Sequence, residues 1–172
     1  MRLKRSFFAR DSIVVARDLL GCFLVRDFGN GKVERKKITE VEAYGGEEDK
    51  ASHARFGRTK RNQVMWETPG LVYVYFVYGM YWMFNIVTAK KGKAQAVLIR
   101  SLEGIKGPGR VGRWLLIDKS FYGEDLISSK RIWIEKGSIP KSAKITKTAR
   151  IGVSYAKEWA KKKWRFVLEQ SL

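Results

Sequence analysis

Ile38-Thr39-Glu40-Val41-Glu42-Ala43-Tyr44 is the segment from which the architecture can be built. Side chains on an extended chain alternate between two faces. Thr39, Val41 and Ala43 therefore share one face, and Ile38, Glu40, Glu42 and Tyr44 the other. Val41 and Ala43 can pack inward while Glu42 and Tyr44 point together into a cleft. A half-buried strand needs neighbours, and the flanking sequence supplies them. Upstream, Gly29-Asn30-Gly31 is a tight hairpin signal joining a strand over 22–28 to a return strand over 32–44. Earlier still, Asp11-Ser12 caps a short helix over 13–20 that stops at Gly21. Downstream, 45–61 is polar and glycine-containing, hence a loop, and 62–66 is a helical turn closed by Pro69-Gly70. Three strands follow over 71–78, 82–89 and 94–102, with Lys91-Gly92-Lys93 as one turn. Gly107-Pro108-Gly109 punctuates the chain before a helix over 111–117. Further strands are expected over 131–135, 151–153 and 164–168, and a short lysine-rich helix over 156–163. There is no repeat and no low-complexity linker. The pattern implies an α+β fold: a single domain with a mostly antiparallel, curved β-sheet flanked by short helices.

Hydrophobic residues make up 45% of the 172-residue chain, enough for a core. Lys and Arg total 35 against 17 acids, a formal charge of +18. A compact chain with that excess attracts polyanions, nucleic acid above all. The plainer readings are a merely soluble basic protein, or one that docks on acidic lipid. Cys22 stands alone, which excludes an intramolecular disulfide and a cysteine-rich zinc site. A buried spectator thiol in an intracellular protein is expected. Met1-Arg2-Leu3-Lys4-Arg5 could open a signal peptide, but Arg10, Asp11, Arg17 and Asp18 break up the apolar segment one would need. No stretch has the length and apolarity of a membrane span.

Chemistry concentrates between Ile38 and Asn85. Glu40 and Glu42 lie two apart on one strand face, and Glu47, Glu48 and Asp49 follow. Such a cluster fits a solvated face, a magnesium site of a metal-dependent nuclease, or general-base catalysis. His53, the single histidine, lies between that acidic loop and Arg55-Phe56-Gly57-Arg58. It is either a filler residue or a hydrogen-bonding and acid–base group, and alone it cannot hold zinc. Tyr73 and Tyr75 share a strand face, and Tyr78 falls on the other by parity, unless Gly79 ends the strand there. Those rings either pack a core or form a stacking platform for bases, with one ring as a wedge in a duplex.

These segments carry a family resemblance. Ala16-Arg17-Asp18-Leu19-Leu20-Gly21, Thr39-Glu40-Val41-Glu42-Ala43-Tyr44, Arg61-Asn62, Pro69-Gly70 and Tyr73-Val74-Tyr75 run in order. Tyr78-Gly79-Met80-Tyr81, Asn85, Leu98-Ile99-Arg100, Gly107-Pro108-Gly109 and Ala149-Arg150-Ile151-Gly152-Val153 continue the series. Each is weak alone, but their order and spacing are specific, and the chain resembles the alkyladenine DNA glycosylases (mammalian-type 3-methyladenine DNA glycosylases) over nearly its whole length. The resemblance implies one glycosylase domain over 1–172, with Glu42 as the general base that activates water against C1′ of a flipped nucleotide. It implies that Arg100 holds the nucleotide and the water, and that Tyr44 and Tyr75 stack on either side of the damaged base. His53 would contact the base or the backbone. Asn85 would crowd the exocyclic amino group of guanine, and Tyr78 would fill the gap left by the flipped base. The implied enzyme needs no metal or other cofactor, places no lysine as an imine-forming nucleophile, and leaves an abasic site. Its expected partner is double-stranded DNA containing damaged purines such as 3-methyladenine and hypoxanthine. It would be a monomer with no membrane partner, cytoplasmic in a prokaryote and nuclear in a eukaryote. In one respect the chain departs from the family. Only Gly104-Ile105-Lys106 stands between Leu102-Glu103 and Gly107-Pro108, where a longer loop near the DNA is usual. Lys106, Arg110 and Arg113, with Lys119 and Lys161, are candidate phosphate contacts that could compensate, or are simply solvated cations. A non-catalytic, basic nucleic-acid-binding module with the same aromatic platform is the alternative.

Overall fold

The long strand β2 (Val33–Tyr44) is the spine of the structure. The computed structural model describes residues 1–169. Ahead of β2 stand the single turn α1 (Arg5–Phe8), helix α2 (Ser12–Leu19) and strand β1 (Phe23–Asp27). After it come β3 (Val72–Val77), β4 (Tyr81–Thr88), β5 (Gln95–Leu102), β6 (Ile105–Lys106), helix α3 (Pro108–Leu115), β7 (Ile132–Glu135), β8 (Lys144–Thr148) and β9 (Arg165–Glu169). The spatial order is β3-β4-β5-β2-β1-β7, with β6 paired to β5 and β8 to β9, which itself pairs with β2. Every pairing among the named strands is antiparallel.

The first half of β2 pairs with β1, and the second half lies between β5 and β9. Glu40, Val41 and Glu42 are therefore bonded on both edges, in the middle of the sheet. One face of the sheet carries the main core. Val15, Ala16 and Leu19 of α2 and Val111 and Leu115 of α3 cover Val41, Ala43, Val72, Val74, Phe84, Ile86, Val97 and Ile99. The Asp11 side chain accepts the Ile13 N–H at 2.9 Å and starts α2, a cap worth about 1 kcal/mol. Helix α3 opens with Pro108 at its first turn, where proline's missing N–H costs nothing. It lies so close to β4 that a Cβ on Gly112 would come within 2.1 Å of the Trp82 carbonyl oxygen. The opposite face is covered by connecting segments instead. Ala54, Val64, Met65 and Trp66 pack on Tyr73, Val87 and Ala96. Ala51, Val153 and Ala156 form a smaller group beside Tyr44 and Trp159.

The expected elements are present apart from three corrections. First, alternation does not run unbroken along β2. The register shifts between Ile38 and Val41, so Ile38 joins Val41 and Ala43 in the core instead of sharing a face with Glu42. A β-bulge adds a residue and turns the strand by one step, which the residue pattern alone did not reveal. Second, 151–153 is not a strand. Ile151 and Gly152 form a bend, with Gly152 at φ 75°, and the backbone N–H of Ile151 is spent on the Glu42 carboxylate. Third, the expected helix over 156–163 is a pair of 3-10 turns, Ser154–Lys161, broken at Lys157. Short α1, β6 and β8 add to the expected elements, and Gly107-Pro108-Gly109 starts α3 instead of merely separating elements. The shortened segment before Gly107 is a tight hairpin: Leu102 pairs with Ile105 and Ser101 with Lys106 across a turn at Glu103-Gly104.

Candidate active site

Strand parity assembles the site. Glu42 and Tyr44 on β2, Tyr73, Tyr75 and Val77 on β3, Met83 and Asn85 on β4, and Leu98 and Arg100 on β5 all face away from the main core and line one cavity of about 360 Å³. The loop residues Ser52, His53, Met65, Ile151 and Tyr155 close it. Glu42, Tyr44, His53, Tyr75, Tyr78, Asn85 and Arg100 are thus brought together, although up to 58 residues separate Glu42 from Arg100 in the chain. A strand alternation readable in sequence explains Glu42, Tyr44, Tyr73 and Tyr75. Only the sheet order brings the four strands side by side.

Glu42 is wholly buried. A buried carboxylate is tolerated when its lone pairs are met by donors, and here three groups meet them. The Ile151 N–H donates to Oε1 at 2.7 Å, the Tyr44 hydroxyl donates to Oε2 at 2.8 Å, and Arg100 Nη1 lies 3.4 Å from Oε1. Burial and then the Glu42 charge push the Tyr44 phenol well above its ordinary pKa, so Tyr44 remains a donor. The same two causes raise Tyr75 to about 12. Burial, with Arg61 and Arg55 nearby, drives His53 down to about 4, so its imidazole is neutral at pH 7 and its Nδ1 shares a hydrogen bond with the Tyr73 hydroxyl at 2.9 Å. Asn85, 3% exposed, donates to the Tyr73 carbonyl at 3.2 Å.

Two supports were not identified from sequence. Glu40, the other member of the Glu-X-Glu pair, holds Arg100 Nε at 3.0 Å and Arg165 Nε at 2.7 Å and accepts from Ser101 Oγ at 2.6 Å. Burial works against its ionisation, but the Ser101 and Arg165 hydrogen bonds and the Arg100 charge outweigh it and lower its pKa. Glu40 therefore belongs to neither a solvated face nor an open metal cluster; it fixes the arginine beside Glu42. The second support is Arg150. It is paired with Asp49 at 2.5 and 2.9 Å with both side chains fully buried, and it stacks on Tyr44 and Trp164 with its guanidinium carbon 4.9 and 5.0 Å from the ring centroids. Asp49 also accepts the N–H groups of Gly45 and Ala51, so its carboxylate is occupied by structure. Among the described residues no group of three or more His, Cys, Asp or Glu is arranged to hold a metal.

At the mouth stands the β3–β4 hairpin. Tyr78 is 88% exposed at φ 53°, followed by Gly79 at φ 63°, and Met80 N–H bonds the Val77 carbonyl at 3.1 Å. The turn throws the Tyr78 ring off the strand and out of the alternation expected for it. Lys106, Arg110 and Arg113 lie exposed on β6 and α3 near Pro108, which itself lines the cavity. Arg113 also stacks on Tyr81, 4.6 Å from the ring centroid. Lys119 and Lys161 are exposed elsewhere and do not line this cavity.

Geometry defines the class first: a single α+β domain of strong positive charge whose sheet holds a buried carboxylate at the base of an aromatic pocket. Comparison with known proteins defines it further. Residues 6–106 and 102–172 match the family model described as Methylpurine-DNA glycosylase (MPG). A protein of Carboxydothermus hydrogenoformans named "Putative 3-methyladenine DNA glycosylase" is 42% identical, covering 99% of this chain and 97% of its own. Proteins of the same name from Legionella pneumophila strain Corby and Methanocella arvoryzae are 43% and 42% identical, covering 99% and 95% of this chain and 96% and 90% of their own. The chain belongs to the methylpurine-DNA glycosylase family, and so to the DNA glycosylases of DNA repair.

Proposed function

We propose that this protein extrudes an alkylated or deaminated purine, such as 3-methyladenine or hypoxanthine, from double-stranded DNA and hydrolyses its N-glycosidic bond, leaving an abasic site. The observation that carries the reading is Glu42: a fully buried carboxylate oriented by a backbone N–H, a phenol and an arginine at the base of a ring-lined cavity. Glu42 takes the proton of a water that attacks C1′, and its charge stabilises the oxocarbenium-like sugar as the base departs. Arg100 orients the carboxylate and the nucleotide. Tyr44 and Tyr75 stack on the base, at about 1–3 kcal/mol per ring, which offsets the few kcal/mol that flipping costs. His53, neutral and fixed through Nδ1, offers Nε2 to the base or the backbone. Asn85 crowds a guanine amino group, and Tyr78 occupies the gap in the duplex. Lys106, Arg110 and Arg113 contact phosphates. Neither a metal nor a lysine imine takes part, and a monomer suffices.

The test is a glycosylase assay on duplexes carrying hypoxanthine or a methylated purine, read as alkali-labile sites. The parent protein should release the base with or without EDTA. Glu42→Gln should bind the lesion duplex while losing at least about 100-fold in excision, within the range of a positioned general base. Full activity in that variant would remove Glu42 from its role. Binding of lesion DNA by the parent protein without any release of base would favour the non-catalytic binding module.

A further inference from the structure

The β3–β4 hairpin separates two concavities. Tyr75 and Val77 look into the Glu42 cavity, while Val74, Phe76 and Trp82 look the other way, by strand alternation. On that far side they form an open groove of about 710 Å³ with Tyr122 and an edge of Tyr75, rimmed by Lys60, Arg61 and Lys119. Phe76 is 44% exposed, and its ring leans on Trp82 at 5.1 Å between centroids. Arg61 stands 5.5 Å from the Tyr75 ring centroid. Four aromatic rings and three cations line the groove, with no carboxylate among them. Lys60, Val74, Phe76, Trp82 and Tyr122 take no part in the proposed excision.

We propose that this groove is a second nucleotide site that takes an unpaired base of single-stranded DNA, stacked on Phe76 beside Trp82, with its phosphates against Lys60, Arg61 and Lys119. An intact duplex presents phosphates outward and keeps its bases stacked inside, so it would meet the rim but leave the rings without a partner. A single strand exposes the π-faces that such rings bind, irrespective of sequence. The rim charge selects a polyanion. A β-strand peptide is disfavoured because the open edge of β3 is partly occupied: Arg61 donates to the Phe76 carbonyl at 3.4 Å, and Gly123 and Glu124 bond Val72. The proposal goes beyond excision and rests on the DNA-binding reading of the protein, not on the role of Glu42.

The probe is an undamaged, fluorescein-labelled thymidine 12-mer, followed by anisotropy at fixed salt. Phe76→Ala should weaken binding at least about 5-fold, Phe76→Trp should restore it, and Lys119→Ala should flatten the salt dependence. A 5-iododeoxyuridine strand should crosslink within 74–82 at Phe76 or Trp82. Thermal melting of Phe76→Ala should stay close to the parent, since the ring is half exposed. Equal affinity of Phe76→Ala and parent overturns the proposal. So does a crosslink confined to Tyr44, or a Phe76-dependent affinity for an oligoglutamate peptide with none for the thymidine strand. Excision from lesion duplexes is measured alongside. If the parent releases no base, the glycosylase reading fails independently of what the thymidine strand does.

Discussion

Glu42 and Glu40 are two residues apart and look alike in sequence, yet their surroundings divide their tasks. Glu40 is committed to Arg100, Arg165 and Ser101, whereas Glu42 faces the cavity. His53 shows how burial sets a protonation state. Its folded pKa of about 4 lies below the ordinary 6.5, so the unfolded chain binds a proton that the folded one refuses. Stability from this group is therefore complete above about pH 6.5 and is lost as the pH falls from there towards 4. Relative to His53→Gln, the parent should lose about 2 kcal/mol of unfolding free energy between pH 7 and pH 5. Denaturant titrations at the two pH values check this, and a constant difference between the proteins would contradict it. Tyr78 sits in the left-handed region, which bulky side chains rarely adopt, a strain of the kind found at functional positions. Tyr78→Gly should hold or raise the melting temperature while weakening lesion-duplex binding about 5- to 150-fold, the worth of one stacked ring.

At the scale of elements, the pocket depends on how closely the helices press the sheet. Gly112 of α3 has no room for a Cβ beside the Trp82 carbonyl. Gly112→Ala should push α3 off β4 and cost about 1–3 kcal/mol, seen as a melting temperature lowered by several degrees. Because β4 also carries Asn85, excision should fall along with stability in this variant. The bulge in β2 matters for a related reason. It lets Ile38 and Val41 both serve the core while Glu42 and Tyr44 keep to the pocket side. The bend at Ile151-Gly152 frees the N–H that Glu42 accepts, which a strand at that position would have spent on its ladder.

Across the whole molecule, a formal +18 on 172 residues accompanies a cavity lined by one fully buried carboxylate, Glu42. Affinity for DNA should fall steeply with salt, with a log–log slope of about −0.9 for each phosphate contacted. Titrations between low and moderate salt measure it, and a flat response would remove phosphate contacts from the account. No helix among the described residues is long and apolar enough to cross a membrane. What the amino-acid order itself carries is local. Period-two alternation separates Val41 and Ala43 from Glu42 and Tyr44, glycine pairs mark hairpins, and the lone cysteine and the excess of lysine and arginine are counts. What it does not carry is which distant strands become neighbours, where a register slips, or which N–H turns towards a carboxylate. The Asp49–Arg150 pair spans 101 positions, and the Glu40–Arg165 bond spans 125. Contacts at such separations depend on the packing of the folded sheet, because nothing within a few residues of either partner records where the other will lie.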